Sequence, residues 1–232
     1  MTCSQAFELI PEICRSERSI LERWLKMGTS KSLLEIVPLL ILSTTLYGAS
    51  LGAWHGLEMA CYVAIKFPLA ILTTLCFTSI LNGIIAALSG SGIGIRQSIQ
   101  FQLTGFTILG IILASLSPLV FFLSLSAPAP LEEGMAQAYR IFLTSNVLII
   151  AFAGVYSQLA LFSYVKEFSH SKATATKNFT LWLLVNLLVG AEVTHTLRPF
   201  FGAPKLVVEF LREDMFERNF FESLYHVLRF II

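Results

Sequence analysis

The chain predicts an all-α fold, a polytopic bundle of five membrane-crossing helices with amphipathic helices at both termini. Three observations carry this. Of 232 residues, 55% are hydrophobic and only 13% charged, with 19 Phe and a mean hydropathy of +0.73. A soluble domain would carry about a quarter charged residues, so the apolar surface exceeds what one water-soluble core could hide. Five windows reach the roughly 20 mostly apolar residues that a bilayer-spanning helix needs. Finally, no segment alternates apolar and polar residues as the strands of a transmembrane barrel do.

Residues 1–32 form the first element, an amphipathic segment with Ile13, Ile20, Trp24 and Met27 near one helical face and Arg15, Arg18, Glu22 and Lys26 elsewhere. A helix of that pattern lies in the headgroup region. The first thirty residues lack the unbroken apolar stretch of a cleaved signal peptide, so insertion rests on the first span. The bundle occupies 33–198, with spans at 33–54, 57–88, 102–124, 141–165 and 179–197. The second window is longer than a crossing needs; it tilts, or its first turns up to Lys66 lie in the interface before Pro68. Short polar connections separate the spans: the Gly/Ser turn "SGSGIGIRQS" at 89–98, the Pro-rich acidic "APAPLEE" at 127–133, and the small, basic "SHSKATATK" at 169–177. The tail, 199–232, repeats Phe216, Phe220, Leu224, Val227 and Ile231 at spacings of three and four, a second amphipathic helix.

Orientation follows from the excess of Lys and Arg in cytoplasmic connections. A cytoplasmic N-terminus puts Arg15, Arg18, Arg23, Lys26, Lys31, Arg96, Lys166, Lys172 and Lys177 on that side. The outer connections then hold only Lys66 and Arg140, and the tail is outside. The Asn178-Phe179-Thr180 glycosylation sequon falls on the cytoplasmic side. A net charge of +1 gives no basic field, so nucleic acid is not an expected partner. Cys3, Cys14, Cys61 and Cys76 form no CxxC and no Cys/His cluster, and no disulfide framework is expected. "SGSGIG" lacks the preceding strand and following Lys-Ser/Thr of a phosphate loop. There is no HExxH and no GxSxG.

The candidate site lies in "VGAEVTHTLRPFFGAP", 189–204, where Glu192, His195 and Arg198 recur every three residues before Pro199. Residues three apart drift about 60° around a helix, so the three share a broad face. Charge in hydrocarbon is costly unless paired or hydrated. Arg198 snorkels to the interface, but Glu192 sits about 9 Å further in and needs a partner: His195, Arg198 or a cation on a neighbouring helix. Lys66, Arg140, Glu58 and His55 fall on the same side, so the intramembrane polar cluster comprises Glu192, His195, Arg198, Glu58, His55 and Lys66. Such a cluster fixes helix register, carries protons or ions, or holds metal. Glu-x-x-His is half of a di-iron motif, but only one copy is present; no metal or cofactor is expected. A second set, Asn82, Gln102, Asn146, Gln158 and Asn186, reads as hydrogen-bonded contacts between helices. Gly105, Gly110, Gly154 and Gly190 allow close backbone approach. Gly105 and Gly110 are five apart, so they make no GxxxG.

The blocks "WHGLEMACYVAIKFPLAILTTLCFTSILNG", "WLLVNLLVGAEVTHTLRPFFGAPKLVVEFLRE" and "NFFESLYH" resemble a group of poorly characterised bacterial five-span membrane proteins over most of the chain from Gly48 onward. The five-span layout with a cytoplasmic N-terminus is similar to the Yip (Ypt/Rab-interacting) family in topology. These resemblances imply a multi-pass helical protein, of a bacterial inner membrane in the first case, and bring no catalytic residue. The expected function is a non-enzymatic membrane scaffold or complex subunit that shapes or senses the bilayer. Its partners are lipid and either further copies of itself or a larger membrane complex. The alternative is a small channel or ion-coupled carrier using Glu192, His195 and Arg198.

Overall fold

The structure, a computed structural model, describes residues 29–128, 135–201, 208–212, 215–217 and 219–231. Among them every regular element is helical: α1 (Thr29–Gly52), a 3₁₀ turn (Ala53–His55), α2 (Leu57–Leu88), α3 (Ile95–Ser126), α4 (Met135–Phe168), α5 (Lys172–Thr196) and α6 (Phe220–Ile231). The first five are long and apolar enough to cross a membrane. The amphipathic stretch around Ile13, Ile20, Trp24 and Met27 lies outside the described residues, as do the side chains of Leu224, Val227 and Ile231.

Four helices start earlier than their apolar windows, α1 at Thr29 instead of Leu33 and three others by six or seven residues. α3 begins at Ile95 instead of Gln102, α4 at Met135 instead of Ile141, and α5 at Lys172 instead of Phe179. Hydropathy finds only the stretch that lies in hydrocarbon, whereas a helix continues until a cap or glycine ends it. α3 starts directly after Gly94, whose N–H donates to Gln97 Oε1 at 2.9 Å. α5 starts after Ser171, whose Oγ accepts from the Thr174 N–H at 3.1 Å. α2 runs unbroken through Pro68, as membrane helices tolerate when neighbours enclose the freed carbonyl.

Successive helices run in opposite directions, giving the bundle two ends. At one, here the Gly92 end, the α2–α3 and α4–α5 turns meet, and the His170 N–H donates to the Ser91 carbonyl at 3.2 Å. Gly92 has φ +80, and a Cβ there would collide with the His170 ring, so this turn needs glycine. At the other, the Trp54 end, the Trp54 indole N–H donates to the Pro128 carbonyl at 3.2 Å.

α1 is buried along Ile36, Leu40, Thr44, Tyr47 and Leu51, a helical stripe facing α2 and α3. Two glycines set its approach to α2. A Cβ at Gly48 would lie 2.6 Å from the Val63 carbonyl oxygen, and one at Gly52 2.5 Å from that of Met59. Gly48 and Gly52 are four apart, the small-xxx-small pattern of close membrane helix pairs; of Gly105, Gly110, Gly154 and Gly190, Gly110 also makes a close approach, a Cβ there lying 2.6 Å from Ser43 Oγ of α1. Hydrogen bonds add to this packing. The Tyr47 hydroxyl donates to Asn146 Oδ1 at 3.0 Å, joining α1 to α4, and Ser124 Oγ donates to the Ser50 carbonyl at 2.9 Å, joining α3 to α1. Leu42, Ile65, Phe77, Ile80, Leu148, Phe152 and Leu187 are exposed and form the hydrocarbon-facing surface.

The α1–α2 contact generates a test of opposite signs. Gly52→Ala drives a Cβ into backbone and costs about 1–3 kcal/mol. Gly154→Ala, with nothing within 4 Å of the new atom, leaves stability unchanged or raises it by up to about 1 kcal/mol through helix propensity. Unfolding midpoints of the two variants in one detergent give the comparison.

Candidate functional site

Two polar assemblies interrupt the apolar bundle. The first is at the Trp54 end, where α5 finishes. Glu192 points its carboxylate at the start of α6: Oε2 accepts from the Phe220 N–H at 3.0 Å. The first turn of a helix exposes N–H groups with no internal partner and carries partial positive charge, so a carboxylate there is stabilised. Asn219 completes the cap. Its Oδ1 accepts from the Glu222 N–H at 2.8 Å, and its own N–H donates to Glu222 Oε2 at 3.2 Å, a reciprocal capping box. His195 sits edge-on to Phe220 with ring centroids 6.0 Å apart, and its Nε2 lies 3.3 Å from Ser223 Oγ. Arg198 Nη1 donates to the same Nε2 and to the His195 carbonyl at 3.1 Å. Since an Arg N–H can only donate, Nε2 is the acceptor.

The structure thus brings Glu192, His195 and Arg198 together, but the partner of Glu192 is a backbone N–H of α6. No cation is within ion-pair range of it among the described residues. Lys66 joins through the next residue. Its side chain is fully buried, Nζ donates to the Pro199 carbonyl at 3.1 Å, and the Phe210 ring centroid is 5.1 Å away. Aromatic pairs line the same path, Phe67 with Phe200 at 6.2 Å and Tyr62 with Phe210 at 5.4 Å. The chain after α5 therefore crosses the head of α2, held by a buried cation and aromatic rings.

Glu58 and His55 are not drawn into either contact. Glu58 is exposed and accepts from the Tyr62 hydroxyl at 3.0 Å. His55 packs against Trp54, and both of its ring nitrogens are buried without a hydrogen-bond partner among the described residues. Among those residues no three His, Cys, Asp or Glu side chains gather where a metal could bind.

The second assembly lies inside the bundle. Asn82 Nδ2 donates to Asn186 Oδ1 at 3.1 Å, and Asn186 Nδ2 donates to Gln102 Oε1 at 3.2 Å. One amide chain thus crosses α2, α5 and α3. The Trp182 indole N–H adds a bond to the Asn82 carbonyl at 2.9 Å. Asn146 donates to the Phe142 carbonyl at 2.8 Å while accepting from Tyr47. Gln158 differs: its Oε1 is buried with no partner among the described residues. Asn178 is wholly buried, so its sequon is sealed in the folded protein. Trp182 was not singled out from the sequence, although its spacing of four from Asn178 and Asn186 puts it on their face.

Compared with protein-family models, with curated proteins and with solved structures, the chain matches none.

Glu192→Ala removes an acceptor from the α6 N-terminus and costs about 1 kcal/mol, as cap losses do. Amide exchange should quicken in 220–231 and stay unchanged in 172–186. Glu192→Gln keeps an acceptor oxygen and should fall between wild type and alanine.

Proposed function

We propose that this protein is a non-enzymatic integral membrane scaffold or complex subunit whose C-terminal helix serves as its contact surface. The observation that carries this is the docking of α6: the Glu192, His195 and Arg198 side chains are spent on seating the helix and on one another. In the seated helix Phe221 and Tyr225 are exposed one turn apart, and Phe216 is exposed just before it. Aromatic side chains with polar neighbours suit a membrane surface or a partner's apolar groove. Shaping or sensing the bilayer is the form this role takes where lipid is the occupant.

The orientation proposed is a cytoplasmic N-terminus. Arg96, Lys166, Lys172 and Lys177 are exposed at the Gly92 end, as expected of the cytoplasmic side. The alternative, a small channel or ion-coupled carrier through the same cluster, is weakened because Glu192 caps a helix and His195 and Arg198 bind each other.

Extraction in mild detergent tests the proposal. Wild type should run as a defined oligomer or with a stoichiometric partner, and Phe221→Glu with Tyr225→Glu should release it while the bundle's unfolding midpoint stays within a few degrees. A wild-type monomer with no partner, or proton flux in proteoliposomes that Glu192→Gln abolishes, would contradict it.

A further inference from the structure

The amide chain leaves hydrogen-bonding capacity unused, and the surplus is concentrated in one place. Asn82 Oδ1 and Gln102 Nε2, an acceptor and a donor on the chain's two outer members, are buried with no partner among the described residues. So are Ser98 Oγ, Ser79 Oγ and both side-chain atoms of Asn178. All five residues are buried, Asn82, Ser98 and Asn178 completely.

Their spacing puts them on the faces that carry the chain. Ser98 is four residues from Gln102 on α3, one turn nearer the Gly92 end. Asn178 is four from Trp182 and eight from Asn186 on α5, displaced toward the same end. Ser79 is three from Asn82 on α2, one turn deeper. The surplus thus runs beside the chain and past it, in the Gly92-end halves of three helices that the amide chain links. Above and around it lie Ala86, Ile93, Phe101 and Trp182, all buried in one cluster.

A buried polar atom without a partner loses the hydrogen bond it had in water, and native proteins satisfy nearly all such atoms. Six on neighbouring turns around one amide chain point to an occupant, although His55 and Gln158 carry orphaned atoms elsewhere among the described residues. The chemistry of the set selects its class. Asn178 Nδ2 and Gln102 Nε2 offer N–H groups, Asn82 Oδ1 and Asn178 Oδ1 offer lone pairs, and the serines do either. No ionisable group is among them. A cation would meet the amide N–H groups and find no carboxylate, and an anion would meet the carbonyl oxygens and find no cation. A molecule that both donates and accepts suits every atom.

We infer that α2, α3 and α5 enclose a site for small uncharged hydrogen-bonding molecules, water foremost, bounded by Asn82, Gln102, Ser98, Ser79 and Asn178. It is independent of the role proposed for α6.

Thiol chemistry tests it, because the thiolate is the reacting species and forms only where water reaches it. In the full-length protein in lipid nanodiscs, with the four native cysteines changed to Ser, Ser98→Cys reports on the site and Ala153→Cys, at a fully buried apolar position, is the control. Iodoacetamide, itself an uncharged amide, should alkylate Ser98→Cys at least about tenfold faster than the control, since reaching a hydrated site requires no unfolding. Iodoacetate, similar in size but charged, should not discriminate between them once rates are scaled to a free thiol. Adding Asn178→Leu should fill the site and bring the Ser98→Cys rate down to the control. Equal iodoacetamide rates at the two positions would overturn the site, and preferential reaction with iodoacetate would overturn the uncharged class. Should Ser98→Cys fail to fold, Ser79→Cys takes its place. An Asn178→Leu variant that raises the unfolding midpoint while leaving alkylation unchanged would also overturn the proposal.

Discussion

Within hydrocarbon, a polar side chain finds its partner inside the protein or finds none. That constraint decides how α5 is held. Lipid is as apolar as leucine, so an apolar face gives a membrane helix little reason to prefer protein to lipid. α5 buries only Ala175, Asn178, Trp182 and Asn186 fully or nearly so, and two of these make the hydrogen bonds that tie it to α2 and α3. Leu184, Leu187 and Leu188 face outward, and much of the rest of its length is only half-buried. The Asn82–Asn186–Gln102 chain with Trp182 is therefore the attachment of α5, and everything beyond α5 inherits its position.

What lies beyond is the Trp54 end. Glu192 and His195 leave α5 on a face that receives the first turn of α6. Between the two helices, Pro199, Phe200, Phe201 and Phe210 fold back over α2 and α4, anchored on Lys66, Phe67 and Phe142. Ionisable groups that would be costly in hydrocarbon thus do structural work: a carboxylate ends on a helix N-terminus, and an ammonium ends on a carbonyl and a ring. Both uses keep charge beside opposite partial charge without ion pairs.

The five helices were legible because hydrocarbon thickness sets a length that composition satisfies. Their true starts at Ile95, Met135 and Lys172 were not, since "IRQSIQF", "MAQAYR" and "KATATKN" are too polar for a hydropathy window yet contain nothing that stops a helix. The shared face of Glu192, His195 and Arg198 could be read from a spacing of three. The partner of Glu192 could not, because a backbone N–H 28 residues away leaves no side-chain signature. Gly48 and Gly52 carried a visible pattern, but its meaning depends on which helix comes alongside. Lys66 sits at the membrane edge in the sequence and wholly inside the fold, where Pro199 and Phe210 lie against it.

A double-mutant cycle between Asn82 and Asn186, measured by reversible unfolding in bilayers, tests the attachment of α5 most directly. With Asn82→Ala, Asn186→Ala and the double variant, the account predicts a coupling of about 0.6–2 kcal/mol, the range of hydrogen bonds between membrane helices. It also predicts that either single variant loosens α6 along with α5. Additive losses, with α6 as protected as in the wild type, would contradict it.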